Sequence, residues 1–233
     1  MQISIIIPTL NEEKRIQGLV NHLREDPSSN LVKEIVVVDG NSRDDTVARA
    51  TELGVRVLPC KQSSRSVQMN LGASHAEADI LYFLHADTIP PRWYARDICQ
   101  SVKDGNVAGC FRLKFDLDHW LLNISGWCTR FKSPHIRFGD QSLFITKQVF
   151  STLQGFSEDL RLFEDQELVK RCIRQGPFRV MPNHVITSSR KYRKNGVLRL
   201  QLVYGWIFLL YSLGFSQEVL MQTYKQLTSD PMV

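Results

Sequence analysis

Residues Ile80-Leu-Tyr-Phe-Leu84 form an unbroken apolar run that stops at His85-Ala-Asp87-Thr88. A run this short, with no polar break, suits a strand buried on both faces of a parallel sheet. Its polar stop places an imidazole and a carboxylate at the strand's carboxyl end, the edge of an open α/β sheet where ligands collect. The rest of the chain is read around that strand.

Two similar runs precede it. Ile3 to Ile7 ends at Pro8-Thr-Leu-Asn-Glu12, where Pro8 cannot donate in a ladder and Thr9 or Asn11 can cap a following helix. That helix carries Ile16, Leu19, Val20 and Leu23 at the spacing of one buried stripe. Glu34 to Val38 ends at Asp39-Gly-Asn-Ser42, and Ser42 or Asp44 opens a helix through Thr46, Val47, Ala50 and Leu53. Val55 to Leu58 is a third short strand. Ser63 to Asn70 is a loop entering a helix that runs to about Ser74, and Arg92 to Val102 is a helix after the organising strand. Strand and helix alternate four times in the first hundred residues, the pattern of βαβ units on a parallel sheet.

After Gly105 the pattern changes. Phe111, Leu113, Phe115 and Leu117 alternate with charged residues, a strand with one wet face, more typical of antiparallel pairing. His119 to Phe131 reads as helix, Lys132 to Gly139 as a flap, and Ser142 to Thr146 as a return to the sheet. Glu164 to Arg174 is a helix; Phe178 to Met181 and Val185 to Thr187 are two short strands. Residues 1–193 are expected to form the sheet domain, and 194–233 a helical appendage packed on it.

Composition narrows the partners. The 233 residues are 43% hydrophobic and 23% charged, as in ordinary globular proteins, with net charge +5. That balance favours anionic partners: phosphorylated substrates, an anionic membrane face or nucleic acid. Five cysteines without Cys-x-x-Cys spacing argue against a disulfide framework or zinc site and for a reducing cytosol. The amino terminus lacks the charged and apolar regions of a signal peptide, and no stretch of about 20 residues free of charge marks a spanning helix.

Three strand ends carry the candidate chemistry: Thr9 to Glu12, Asp39 to Ser42 and His85 to Asp87. In a parallel sheet all three lie on one edge. Asp39 follows four apolar residues, so its carboxylate needs a donor, a base imide or ribose hydroxyl on one reading and an Asx-turn or helix cap on the other. Arg65, Gln68 and Asn70 offer a cation and amides near a helix start, suited to phosphate or simply to a surface face. Asp87 and His85 offer metal ligands, and magnesium takes one or two carboxylates with substrate phosphates; an imidazole suits manganese better. Glu164, Asp165 and Glu167 crowd a helix start, with Glu158 and Asp159 upstream, as dipole partners or as a general base. The basic run Arg190 to Lys194 precedes an apolar stretch from Val197 to Leu213. It is either a membrane-surface anchor, with Tyr204, Trp206 and Tyr211 at the interface, or a helix buried on the domain with a solvated basic face. A closing helix runs from about Gln217 to Leu227.

The segments Ile5-Ile-Ile-Pro-Thr-Leu-Asn-Glu-Glu13, Val37-Val-Asp-Gly-Asn-Ser42, Phe83-Leu-His-Ala-Asp-Thr88 and Phe163-Glu-Asp-Gln-Glu167, in this order and spacing, resemble the GT-A family 2 glycosyltransferases. The small subgroup called selenodomain-associated transferase 2 is closest in pattern. The resemblance implies a Rossmann-like, mostly parallel sheet and an inverting transferase using a nucleotide-diphosphate sugar, a UDP-sugar above others. It implies that Pro8, Thr9 and Glu12 meet the nucleoside, Asp39 the base, Arg65 and Gln68 the diphosphate, and Asp87 with His85 a divalent metal, Mg2+ or Mn2+. Asp165 would be the base that deprotonates an acceptor hydroxyl, with Gly139-Asp-Gln141 near the acceptor. The acceptor would be a small molecule or a lipid, the expected location is cytoplasmic or peripheral at the inner membrane face, and nucleic acid is not an expected partner. His85 stands where the family's Asp-x-Asp metal motif has its first carboxylate, which removes one ligand and leaves metal-independent catalysis open. Two other readings stand beside this one: a non-catalytic nucleotide-sugar binder, and a Rossmann-type methyltransferase or dehydrogenase. A dinucleotide fold is opposed by the lack of Gly-x-Gly-x-x-Gly after the first strand.

Overall fold

A computed structural model describes residues 1–133, 136 and 139–229. Its centre is an eight-stranded sheet in the order β3-β2-β1-β4-β7-β6-β8-β5. The strands are β1 (Ile3–Thr9), β2 (Val32–Asp39), β3 (Arg56–Pro59), β4 (Ile80–Phe83), β5 (Thr88–Ile89), β6 (Ala108–Phe115), β7 (Leu143–Thr146) and β8 (Phe178–Thr187). β3, β2, β1 and β4 run parallel. β7 is antiparallel to both β4 and β6, β8 runs parallel to β6, and β5 is antiparallel to β8. The organising strand is therefore the seam between a parallel half and a mixed half, and all four of its residues are buried.

The helices are α1 (Glu13–Glu25), α2 (Thr46–Glu52), α3 (Arg65–His75), α4 (Tyr94–Lys103), α5 (Trp120–Cys128), α6 (Lys147–Thr152), α7 (Glu164–Gln175), α8 (Arg190–Asn195), α9 (Val197–Ser212) and α10 (Gln217–Leu227). They cover both sheet faces. Ile3, Ile5 and Ile7 pack with Ile16, Leu19, Tyr94 and Ile98 of α1 and α4. Ile6, Val36 and Val38 face the other way, onto Met69, Ala73 and Leu168 of α3 and α7. The alternation of residues along one strand between two cores follows from its period of two.

Several elements differ from the sequence reading. Pro8 lies inside β1, paired with Val38, instead of ending it. Its ring is tolerated because β4 has stopped beside it: the Leu84 N–H donates to Ile6 O, and no strand residue follows to require a donor from residue 8. Neither Thr9 nor Asn11 caps α1. The first turn is held instead from α2's approach, where Thr46 Oγ1 and Asp44 Oδ2 accept from the Glu12 and Glu13 N–H groups. β8 is one strand through residues expected to form two, and β5 and α6 were invisible to periodicity because they span two and six residues. The expected flap is only partly described: Pro134, His135, Arg137 and Phe138 lie outside the described residues.

Close approach fixes where α3 sits. A Cβ built on Gly72 would lie 2.5 Å from Ile6 Cγ2 and 3.0 Å from Val38 Cγ2, so only glycine lets the helix lie this near the sheet. In the tail, Leu200 joins the main core, while Val203, Ile207 and Leu210 pack with Leu220 and Tyr224 of α10 and with Leu162 and Phe163 before α7.

Candidate functional site

Three strand tips meet on one edge, because β2, β1 and β4 are neighbours and parallel. Asp39 is 4% exposed and held on both oxygens by its turn and by β1: Ser42 Oγ (2.5 Å) and Thr9 Oγ1 (3.2 Å) donate to one oxygen, the Ser42 N–H (2.8 Å) to the other. The turn reading of Asp39 thus holds, and it orients the carboxylate at the edge. The Gly40 N–H closes the link to β1 by donating to Thr9 O at 2.9 Å.

Glu12, at the β1 tip, accepts from Arg15 (3.1 Å) and from both terminal nitrogens of Arg190 (2.5 and 3.3 Å). The same Arg190 nitrogen lies 3.7 Å from Asp87 Oδ2. One guanidinium therefore ties the β1 tip to the β4 tip. Its arrival is a consequence of the shortest strand: β5 pairs Thr88 with Thr187, and the Ser188 N–H donates to Asp87 O at 3.1 Å, so the chain beyond β8 starts beside Asp87. The basic run read as a solvated face or a membrane anchor is thus α8, with Arg190 turned into the site. Beside it, Lys191 is held below the usual lysine range by burial first and then by Arg65; Asp140 and Asp87 oppose that fall.

His85, 7% exposed, shares its Nδ1 with Asp140 Oδ1 at 3.2 Å. Burial would raise the Asp140 carboxyl, but the hydrogen bond and charge of His85, with Arg65 and Lys191, hold it low. Among the described residues no group of three or more His, Cys, Asp and Glu is placed to hold a metal. Asp87 with phosphate oxygens and water still fits a hard divalent ion, which needs few protein carboxylates. His85 Nδ1 is already taken by Asp140.

Arg65 begins α3, and Glu164 and Asp165 begin α7. Burial would lower the Arg65 pKa, yet Glu164, Asp140, Asp165 and Asp87 together raise it, so all four carboxylates act on one guanidinium. Glu164, 3% exposed, is pushed up to about 7 by burial and then by Asp165, while Arg65 and His85 pull it back. The carboxyl with the raised pKa is the neighbour of the expected base. Phe163, just before them, has φ of +67°, a region costly for an aromatic residue. Tyr211 of α9 stacks on it at 4.5 Å, so α9 buttresses the turn that aims Glu164 and Asp165.

Other candidates are occupied by scaffolding. Gln68 is fully buried, and its Nε2 donates to Thr9 O (2.9 Å) and Val38 O (2.8 Å), stitching β1 to β2. Its reading as a diphosphate ligand gives way to that of a strut below the site. Asn70 binds the Phe156 backbone and Glu158, and Glu167 pairs with Arg171 at 2.5 Å. Sequence reasoning put Glu164 in the acidic helix start but gave the base role to Asp165, and it missed Arg190 and Lys191 as site residues. The one sequence signal for those two was their position immediately after the last sheet strand.

A family model described as glycosyl transferase family 2 matches residues 4–152, from β1 to the end of α6. The chain belongs to this family. Glucosyl-3-phosphoglycerate synthase of Mycobacterium tuberculosis is 33% identical over 97 residues, covering 38% of this chain and 30% of that protein. The 4,4'-diaponeurosporenoate glycosyltransferase of Staphylococcus haemolyticus is 36% identical over 92 residues, 36% of this chain and 24% of that protein. The matched segment thus spans less than a third of either relative. Among solved structures, S. aureus TarS 1-349 superposes with a TM-score of 0.68 at 18% identity over 96% of this chain and 69% of that one. The mannosyltransferase PcManGT of Pyrobaculum calidifontis, solved with GDP-Man and Mn2+, gives 0.69 at 17% identity, covering 97% of this chain and 69% of its own. These likenesses show a shared GT-A fold: a mainly parallel sheet flanked by helices.

Proposed function

We propose that this family 2 chain moves a sugar from a nucleotide-diphosphate sugar, with UDP as the nucleotide, to an acceptor hydroxyl with inversion at the anomeric carbon. The observation that carries the reading is the convergence of Arg65, Arg190 and Lys191 with Asp87 and Asp165 at the row of parallel strand tips. TarS has been solved with UDP and with UDP-GlcNAc, and PcManGT with GDP-Man, which supports a nucleotide-sugar donor for the shared fold.

Pro8, Thr9 and Glu12 line the nucleoside side, and Asp39, held in place by Ser42 and Thr9, accepts from the base or ribose. Arg65, Arg190 and Lys191 lie along the diphosphate. Asp87 would hold a magnesium or manganese ion, which when bound opposes charge on the diphosphate oxygens. Asp165 takes the proton of the acceptor hydroxyl as its oxygen attacks the anomeric carbon. The bond from that carbon to the phosphate oxygen breaks, and its electron pair leaves with the diphosphate. Arg65 and Arg190 stabilise that growing charge, an electrostatic effect worth about 3 kcal/mol for one well-placed donor.

Asp165→Asn tests the base. Transfer is expected to fall by at least about a hundredfold while UDP-sugar binding, followed by calorimetry, is retained. Equal turnover by variant and wild type would remove Asp165 from that role.

A further inference from the structure

Apart from Arg199 and Gln201 near its start, helix α9 is apolar on every side, and only one side is covered. Leu200, Val203, Ile207 and Leu210 are buried, whereas Leu198 (63% exposed), Leu202 (66%), Trp206 (50%), Leu209 and Leu213 stand in water. The exposed set recurs at spacings of three and four, so it is a single stripe along the helix. A helix apolar all round is normally covered all round. Helix α5 and the turn after it add a second stripe, Trp120, Ile124, Trp127 and Phe131, all about half-exposed or more. The two helices touch, with Gln201 Nε2 3.3 Å from Ser125 Oγ. Three of the four tryptophans lie on these stripes.

Charge indicates what covers them. Residues 119–139 and 188–217 contain eight Lys and Arg and not one Asp or Glu. Arg190 and Lys191 of that set turn into the site, but Arg130, Lys132, Lys194 and Arg199 are exposed, and the Arg130 guanidinium lies 4.8 Å over the Trp127 ring. An apolar face whose own segments carry cations and no carboxylate, with Asp118 and Glu218 at their margins, and which presents indole rings matches the boundary of an anionic bilayer: stripes in the acyl region, rings at the headgroups, cations on the phosphates. A second copy of the chain, brought face to face, would set cations against cations. Among the described residues no helix is long and apolar enough to cross a membrane, so such contact is lateral.

We infer that the outer faces of α5 and α9 dock on an anionic lipid surface. This contact does not depend on the sugar-transfer reading and is tested without turnover. Both stripes are joined to the site: Asp140 follows α5 in the chain, and Arg190 and Lys191 precede α9. The inner side of α9 meanwhile supports Phe163.

Flotation of the full chain with vesicles of phosphatidylcholine and phosphatidylglycerol at low salt is the test. Binding is expected, weaker on phosphatidylcholine alone and weaker at high salt, with a blue shift of tryptophan emission. Leu202→Ser with Trp206→Ser is expected to reduce the bound fraction about tenfold or more, with folding checked by circular dichroism. Should that pair not fold, Trp120→Ser with Trp127→Ser on α5 reads the same effect. Failure to float at low salt overturns the inference, as does undiminished binding by a folded variant. So does a dimer in sedimentation that the same substitutions dissociate, since a second copy would then own the face.

Discussion

At the scale of single residues, Glu164 is the group whose ionisation the site should report. Its folded pKa, pushed to about 7, lies above its ordinary 4.5. The folded state therefore holds that proton more tightly than the unfolded chain, and this group costs stability as pH rises through the window between the two values. The same ionisation places a new negative charge beside Arg65. Affinity for a UDP-sugar, whose diphosphate gains no charge in this range, should fall about three- to tenfold from about pH 6 to about pH 8. Glu164→Gln should flatten that slope at the tighter, low-pH value. Calorimetric titration across the range decides it; a wild-type affinity that strengthens with pH would refute the role given to Glu164.

At the scale of elements, two glycines in helices make opposite predictions. Gly72 seats α3 on β1 and β2, and its replacement by valine drives branched carbon into Ile6 and Val38. Overpacking of this kind costs about 1–3 kcal/mol, and by shifting α3 it also moves Arg65, so melting temperature and donor affinity should fall together. Gly18, exposed on α1 with no atom within 4 Å of an added Cβ, should do the reverse: Gly18→Ala is expected to stabilise by about 0.5–1 kcal/mol and leave donor binding unchanged. Thermal melts and one titration per variant check both. Elements also explain what could be read in advance. The tips at Thr9, Asp39 and Asp87 were legible because unbroken apolar runs with polar stops encode buried parallel strands locally. Arg190 and Lys191 were not, because a pairing of only two residues, Thr88–Ile89 with Ile186–Thr187, delivers them across a hundred positions of sequence. Gln68 misled for the opposite reason: an amide near a helix start looks like a ligand until the structure shows it spent on two carbonyls.

At the scale of the whole molecule, the site is a closure device for the sheet. Its groups come from α3, α7 and α8 as well as from the tips of β1, β2 and β4. Arg190 bridges the first and last of those segments through Glu12 and Asp87. A ligand that spans these groups binds only the folded arrangement, so it must raise stability by mass action, about 2.7 kcal/mol at a hundred times its Kd. For a chain of this size that is a rise in Tm of about 5–10 °C. Arg190→Ala separates scaffold from ligand. Glu12 keeps Arg15 at 3.1 Å, so the unliganded Tm should drop by only about 2–4 °C, the cost of one partly exposed ion pair of about 1 kcal/mol. The rise produced by a UDP-sugar should shrink by more than half, because the diphosphate loses a cation and Asp87 is left with a vacant flank. A melt series with and without donor measures both quantities on the same samples. An unchanged donor-induced rise in Arg190→Ala would place the diphosphate away from α8 and leave Arg190 a purely structural strut.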